Sequence, residues 1–98
     1  MQRVRGVISS PNGEVILEDV EMYIHETRSR GRRDWRGNFS VPELAHIDTE
    51  TYHLALEDGR EATIMVNNVR QTFDTRRGNH TTAVTFLVSG LLAQPLML

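Results

Sequence analysis

The chain has 98 residues, of which 39% are hydrophobic and 24% are charged, and its formal net charge is −2. This length predicts a single domain, and the hydrophobic fraction is that of a globular protein, which excludes a disordered one. The absence of cysteine excludes disulfides and thiolate metal sites, and no apolar run is long enough to span a membrane. Because the N-terminal stretch MQRVRGVISS lacks the apolar core of a signal peptide, we expect a cytoplasmic protein.

Alternating apolar and polar residues predict two strands at the start of the chain. The first covers residues 3–8 and ends in the turn sequence SPNG at 10–13. The second covers residues 15–26, with Val20, Met22 and Ile24 on one side. The alternation slips near Glu18 and Asp19, and such a slip predicts a β-bulge.

A third strand is predicted at residues 35–41, after a polar loop at 27–34. Its apolar face carries Trp35, Phe39 and Val41, and Gly37 lies on the same face. A glycine there predicts a bend in the strand or the close approach of another backbone. Residues 42–49 are predicted to form a connection that starts with one helical turn.

The stretch YHLALEDGREATIMV, residues 52–66, predicts a β-hairpin, and two turn geometries fit it. A two-residue turn at Asp58-Gly59 would mix apolar and polar residues on each face of the hairpin. A three-residue loop at 57–59, with Gly59 at positive φ, instead pairs Leu54 with Ala62 and Tyr52 with Ile64. Because this second register places the large apolar residues on one face, we predict the three-residue loop.

The remainder of the chain predicts one further strand and an apolar tail. The second strand of the hairpin continues to Phe73 with a kink at Asn67-Asn68, and a loop follows at 74–80. The last strand is predicted at 81–89, and residues 90–98 form an apolar C-terminal tail.

About six strands without a sustained helical period predict an all-β domain over residues 1–98. Open sheet edges are a liability, so a small chain of this kind closes into a barrel or stacks as a sandwich. The predicted bulge, the kink and Gly37 are devices that turn the corners of a barrel. We therefore predict a small closed or partly open barrel of mainly antiparallel strands, SH3-like or OB-like, with a compact sandwich as the alternative.

Residues with catalytic or metal-binding chemistry do not form a known pattern. None of the four histidines, at positions 25, 46, 53 and 80, has a partner at the spacing of metal ligands. No serine lies in a nucleophile motif, and no glycine-rich loop precedes a helix. We therefore expect a protein that is not an enzyme and that holds no metal or cofactor.

Arginine is the one feature that stands out for binding. All 11 basic residues are arginines, and the segment RSRGRRDWR at 28–36 contains five of them and one aspartate. A dense arginine loop beside an aromatic residue predicts binding of nucleic acid or of a phosphorylated small ligand. In the alternative interpretation, Trp35 belongs to the core and the arginines pair with nearby carboxylates. The candidate binding residues, with the second arginine loop included if it lies at the same end, are Arg28, Arg30, Arg32, Arg33, Trp35, Arg36, Arg76 and Arg77.

The C-terminal part of the chain predicts self-association. After Arg77 no charged residue occurs, and both faces of the last strand are largely apolar. Such a surface is buried either against a second copy, as a symmetric dimer, or under a tail that covers one end of the barrel. The candidate residues for self-association are Phe86, Leu87, Leu91, Leu92, Leu96 and Met97.

These observations favour binding over catalysis. We predict a protein-interaction or assembly module that forms a homodimer or binds another protein, with no membrane partner. Binding of nucleic acid or a phosphorylated ligand through the arginine segment is the alternative.

Overall fold

The computed structural model describes residues 2–29 and 31–88. Six strands lie in these ranges: β1 (Gln2–Ser9), β2 (Val15–Ser29), β3 (Arg32–Val41), β4 (Thr51–Leu56), β5 (Glu61–Asp74) and β6 (Asn79–Val88). Neither range contains a helix, so the helical turn predicted at 42–44 is not formed. The loop predicted at 27–34 is also wrong, because β2 and β3 continue through most of it as a hairpin.

The strands form a closed barrel in the order β1-β2-β3-β6-β5-β4, and all neighbouring strands are antiparallel. The predicted all-β barrel is confirmed, and the sandwich alternative does not apply. Strands β1 to β3 and strands β4 to β6 are two consecutive meanders. The segment 42–50 carries the chain from β3 back to β4, which lies beside β1, in a Greek-key arrangement.

Three register shifts interrupt the long strands, and two of them were predicted. Gly6 lies opposite Val20 and Ile8 opposite Leu17, so β2 has an extra residue at Glu18-Asp19. On β5, Val66 lies opposite Phe86 and Asn68 opposite Thr85, which leaves Asn67 as the extra residue. The third leaves Ile16 as an extra residue on β2, since Ile8 lies opposite Leu17 and Ser9 opposite Val15. Each bulge reverses the alternation of inward and outward residues along its strand.

The β4–β5 hairpin has the predicted register. Leu54 pairs with Ala62, and Tyr52 pairs with Ile64. Gly59 has a φ of 95°, and its N–H donates to the carbonyl oxygen of Leu56 at 3.0 Å. Burial of one apolar face therefore selects the three-residue loop.

The core is formed by the inward residues of all six strands, and it contains one unusually close approach. Gly37 lies directly under the ring of Phe86, where a Cβ atom on Gly37 would be 2.6 Å from Cε2 and 2.9 Å from Cε1, and closer still to Cζ. The predicted close approach at Gly37 therefore involves a buried phenylalanine ring rather than another backbone. Phe86 also packs against Phe39, with the ring centroids 6.2 Å apart.

The segment 42–50 covers one end of the barrel. Its Ala45 and Ile47 side chains are buried in the core. Thr82 of β6, whose side chain is wholly buried, donates its hydroxyl proton to the Glu43 carbonyl oxygen at 2.7 Å and accepts from the Ala45 N–H at 3.1 Å. This hydroxyl satisfies two backbone groups that would otherwise be buried without partners.

Candidate functional site

The arginine segment forms the end of the β2–β3 hairpin, which extends past the barrel as a two-stranded ribbon. We call residues 25–29 with residues 32–36 the arginine ribbon. Arg28 lies opposite Arg33 in its register, and Ser29 lies opposite Arg32. Arg30 lies outside the described residues. The arginines are therefore spread over paired positions of two strands and are not gathered in a loop.

The side chains of Arg28 and Trp35, in the arginine ribbon, have partners within the ribbon or the barrel. Arg28 Nε lies 3.2 Å from Glu26 Oε1, and the Arg28 side chain is 70% exposed. Trp35 is partly buried, packs against the core and lies opposite Glu26 and Val88. The position of Trp35 agrees with the alternative in which it is a core residue, and Arg28 is one arginine of the segment that pairs with a carboxylate. An exposed ion pair of this kind contributes little stability.

The two arginine segments lie at opposite ends of the barrel. Trp35, at the arginine ribbon, is opposite Val88 at one end of β6, whereas Val41 is opposite Thr82 near the other. The six residue-to-residue steps from 35 to 41 span about 20 Å of strand. The β5–β6 hairpin, which carries Arg76 and Arg77 in its turn, extends beyond the second end. Arg76 and Arg77 therefore do not lie at the same end of the barrel as the arginine ribbon, and they cannot enlarge its basic surface.

The β5–β6 hairpin forms a second ribbon, residues 70–82 with the turn included, which we call the Phe73 ribbon. Phe73 is 53% exposed, and its ring centroid lies 4.8 Å from that of His80 on the paired strand. Asp74 Oδ1 accepts from the backbone N–H groups of Arg76 at 2.9 Å and Arg77 at 3.3 Å. The sequence predicts Phe73 only as the end of a strand. The position of Phe73 outside the core follows from the strand pairing beyond the bulge at Asn67.

Of the residues predicted for self-association, one described residue lies inside the barrel and one lies on its outer surface. Phe86 is wholly buried in the interior of its own barrel, which removes it from any surface between two copies. Leu87, the next residue, points outward and is half-buried. The tail residues lie outside the described ranges: Leu91, Leu92, Leu96 and Met97.

Around Leu87, seven of the nine outward positions on three adjacent strands carry no charge, and the other two are arginines. Thr85 lies between Asn38 and Asn68, Leu87 lies beside Met65, and Ala83 lies beside Ser40. Met65 is 47% exposed. We call this surface the outer plate, and its residues are Asn38, Ser40, Met65, Asn68, Ala83, Thr85 and Leu87.

Arginines occupy two opposite corners of the outer plate. Arg36 on β3 is level with Leu87, and Arg70 on β5 is level with Ala83. Both side chains are exposed. The sequence indicates the uncharged strand β6, but the flanking residues of the plate become visible only with the strand order β3-β6-β5.

Other polar groups of the barrel form pairs on its outer surface. His53 Nε2 lies 3.4 Å from Glu61 Oε1, and both side chains are largely exposed. Arg5 bridges Asp19 at 3.0 Å and Glu21 at 3.6 Å across the bulge. Within residues 2–29 and 31–88, no group of three or more potential ligand residues is arranged to hold a metal ion.

One carboxyl group has a perturbed pKa, and it lies in the β4–β5 turn. The backbone N–H of Arg60 donates to Asp58 Oδ1 at 3.0 Å, and Arg60 Nε donates to Oδ2 at 2.7 Å. These hydrogen bonds, the backbone one first, lower the pKa of Asp58 below its ordinary value of 3.8, although partial desolvation opposes them. The Asp58–Arg60 pair joins the turn to the residue that follows it, and we assign it a structural role in the turn.

No helix in the part of the chain that the structure describes is long and apolar enough to cross a membrane. Comparison of the chain with protein-family models, with curated proteins and with solved structures gave no match.

Proposed function

We propose that this domain is a non-catalytic interaction module that associates with a second copy of itself through the outer plate. The single observation that carries the proposal is the uncharged surface of seven residues on β3, β6 and β5, in a chain of which 24% is charged. The centres of protein interfaces are depleted in charge, whereas arginine is enriched at interfaces relative to the rest of the surface. The plate has both properties, since its only charged neighbours on β3 and β5 at these levels are the corner residues Arg36 and Arg70.

The corner positions of the arginines also indicate how two plates would meet. In a symmetric dimer, a two-fold axis along the strands places Arg36 over Met65 of the second copy and Arg70 over Ser40. A two-fold axis across the strands exchanges these two partners. Only an axis diagonal to the strands, which makes the strands of the two copies cross at right angles, brings arginine against arginine. Repulsion between like charges therefore favours aligned packing of the two sheets over orthogonal packing.

The area of the plate sets the expected strength of association. Three strands about 4.8 Å apart and about 17 Å long cover roughly 250 Å², whereas a standard interface buries about 800 Å² on each partner. Tyr23, which is 39% exposed and lies beside Asn38 on β2, extends the plate by one strand. The plate alone therefore supports a weak dimer. We propose that the apolar tail, residues 90–98, contributes the remaining area of the interface. In the alternative, the tail covers one end of its own barrel.

Substitutions at Met65 test the plate. Met65→Arg places a third arginine in the plate, opposite Arg36 or Arg70 of the second copy in either aligned arrangement, and should abolish association. Met65→Glu has the same loss of apolar surface but meets an arginine, and should retain it. Sedimentation velocity over a range of chain concentrations measures both. Val15→Arg is the matched control, because Val15 is also 47% exposed and lies away from the plate.

Equal behaviour of the two Met65 variants, or loss of association in the Val15 control, would contradict the proposal. So would a native chain that remains monomeric at the highest concentration reached. Light scattering of the full chain beside a version ending at Gly90 separates the contribution of the tail. A dimer in both cases assigns association to the plate, whereas a monomer only in the short version assigns it to the tail.

A further inference from the structure

We propose that the Phe73 ribbon binds single-stranded nucleic acid, with Phe73 as a stacking surface for a base and Arg76 and Arg77 as contacts for phosphates. Phe73, Arg76 and Arg77 lie outside the outer plate, although Arg70 of the ribbon is at a corner of that surface, and the proposal does not rest on self-association.

Phe73 differs from the other phenylalanines in its contribution to the fold. Phe39 and Phe86 are 3% and 0% exposed in the core, whereas Phe73 is 53% exposed. It lies on the barrel-interior side of β5, two residues beyond Gln71. Gln71 contacts the segment 42–50, donating from Nε2 to the Ala45 carbonyl oxygen at 3.2 Å. The Phe73 ring is therefore held past the end of the core, with more than half of its surface in solvent.

His80 fixes the orientation of the Phe73 ring. The two residues are opposite each other in the β5–β6 register, and their rings are tilted by 48°. The imidazole thus contacts the phenyl ring while Phe73 stays 53% exposed. Adjacent aromatic surfaces of this kind stack on nucleobases without regard to sequence, because every base has an aromatic face.

The charge of the ribbon matches a polyanion. Residues 70–80 carry three arginines and one aspartate, which gives +2, whereas the whole chain carries −2. The rest of the chain therefore carries −4. Neither Arg76 nor Arg77 makes an ion pair within the described ranges, and Asp74 accepts hydrogen bonds from their backbone N–H groups. The carboxylate thus orders the turn, and both guanidinium groups stay available to phosphates.

These features favour a single-stranded ligand over a duplex. They also favour the Phe73 ribbon over the arginine ribbon as the binding site. Stacking on Phe73 requires a base whose face is not already covered by its neighbour, as in an unpaired strand. On the arginine ribbon the only aromatic residue of β3 near the arginines, Trp35, packs against the core, and Arg28 pairs with Glu26.

Fluorescence anisotropy of a labelled oligothymidylate of about 15 nucleotides, and of a duplex of similar length, tests the proposal. The single strand should bind the native chain more tightly than the duplex. With two to three phosphates neutralised, its affinity should fall roughly tenfold between 50 and 200 mM salt. Phe73→Leu keeps an apolar side chain but removes the ring, and should weaken binding roughly 5- to 150-fold.

A matched pair of double variants locates the phosphate contacts. Arg76→Gln with Arg77→Gln should weaken binding and flatten the salt dependence, whereas Arg32→Gln with Arg33→Gln removes the same charge at the other end of the barrel and should leave both unchanged. Thermal unfolding of each variant confirms that the fold is kept, and Met65→Arg should bind as the native chain does. The proposal is overturned by absence of binding, by equal affinity for the duplex, by an unaffected Phe73→Leu variant, or by loss of binding only in the Arg32 and Arg33 variant.

Discussion

Replacing Gly37 with alanine should destabilise the barrel through a single contact. The added methyl group would lie 2.6 Å and 2.9 Å from two ring atoms of Phe86, which has no exposed surface and little room to move. Overpacking of this kind costs about 1–3 kcal/mol. For a domain of this size, each kcal/mol lowers Tm by about 4–8 °C.

A double-mutant cycle isolates the contact. The clashing atoms Cε1, Cε2 and Cζ are absent from leucine, so Phe86→Leu should make room for the methyl group. Alone, Phe86→Leu should cost about 1–2 kcal/mol in lost burial. Combined with Gly37→Ala, the cost should stay near that of Phe86→Leu, and the two substitutions should be non-additive by about 1 kcal/mol or more.

Urea unfolding followed by the fluorescence of Trp35, the one tryptophan, measures each free energy of unfolding. All variants are compared at the same chain concentration, because self-association would raise apparent stability. Val15→Thr is the control, since Val15 is exposed, lies away from the outer plate and should alter stability by less than about 0.5 kcal/mol when replaced. Additive costs within about 0.5 kcal/mol would refute the packing argument.

Substitutions at three further positions test the features that shape the barrel. Thr82→Val should cost about 1–3 kcal/mol, because it leaves two buried backbone groups without a partner, whereas Thr82→Ser should cost much less; an equal loss in both would contradict the role of the hydroxyl. Gly59→Val should cost about 1–3 kcal/mol at its φ of 95°, and Gly59→Asn should be milder, since asparagine tolerates the left-handed region. The lowered pKa of Asp58 means that its stabilising effect is present above pH ~4 and is lost as the pH falls through the lowered pKa. Asp58→Asn should therefore reduce the fall in Tm between about pH 5 and pH 2, by a small amount because the pair is partly exposed; an unchanged fall would contradict this.

Features set by neighbouring residues along the chain could be predicted from the sequence. The register of the β4–β5 hairpin follows from burying Tyr52, Leu54 and Ile64 on one face, and the bulge at Glu18-Asp19 follows from a slip in the same alternation. Each depends on a few adjacent residues and on the period of a strand. The barrel could be predicted from the strands, because closing the sheet leaves none of the six strands with an unpaired edge.

Features set by contacts between distant strands could not be predicted in this way. The alternation of β6 shows two apolar faces, but it does not say which one faces the interior, and so Phe86 was grouped with the surface residue Leu87. The distance between the two arginine segments depends on the pairing of β3 with β6. The arginine segment also lacks the apolar alternation that marks a strand, and it pairs because the hairpin continues from the barrel wall.

The two seams that join the meanders differ in length. The seam between β3 and β6 covers residues 35–41 of β3 and includes the contact of Gly37 with Phe86, whereas the seam between β1 and β4 covers only residues 6–9 of β1. Local opening begins where the fewest buried contacts must break. Thermal fluctuations should therefore separate β1 from β4 first. This opening exposes the edges of both strands while the other five strand pairs stay hydrogen-bonded. Amide hydrogens of that seam would exchange with solvent ahead of those in β3 and β6, and a chain trapped in the opened state would present the edges through which sheets join other sheets.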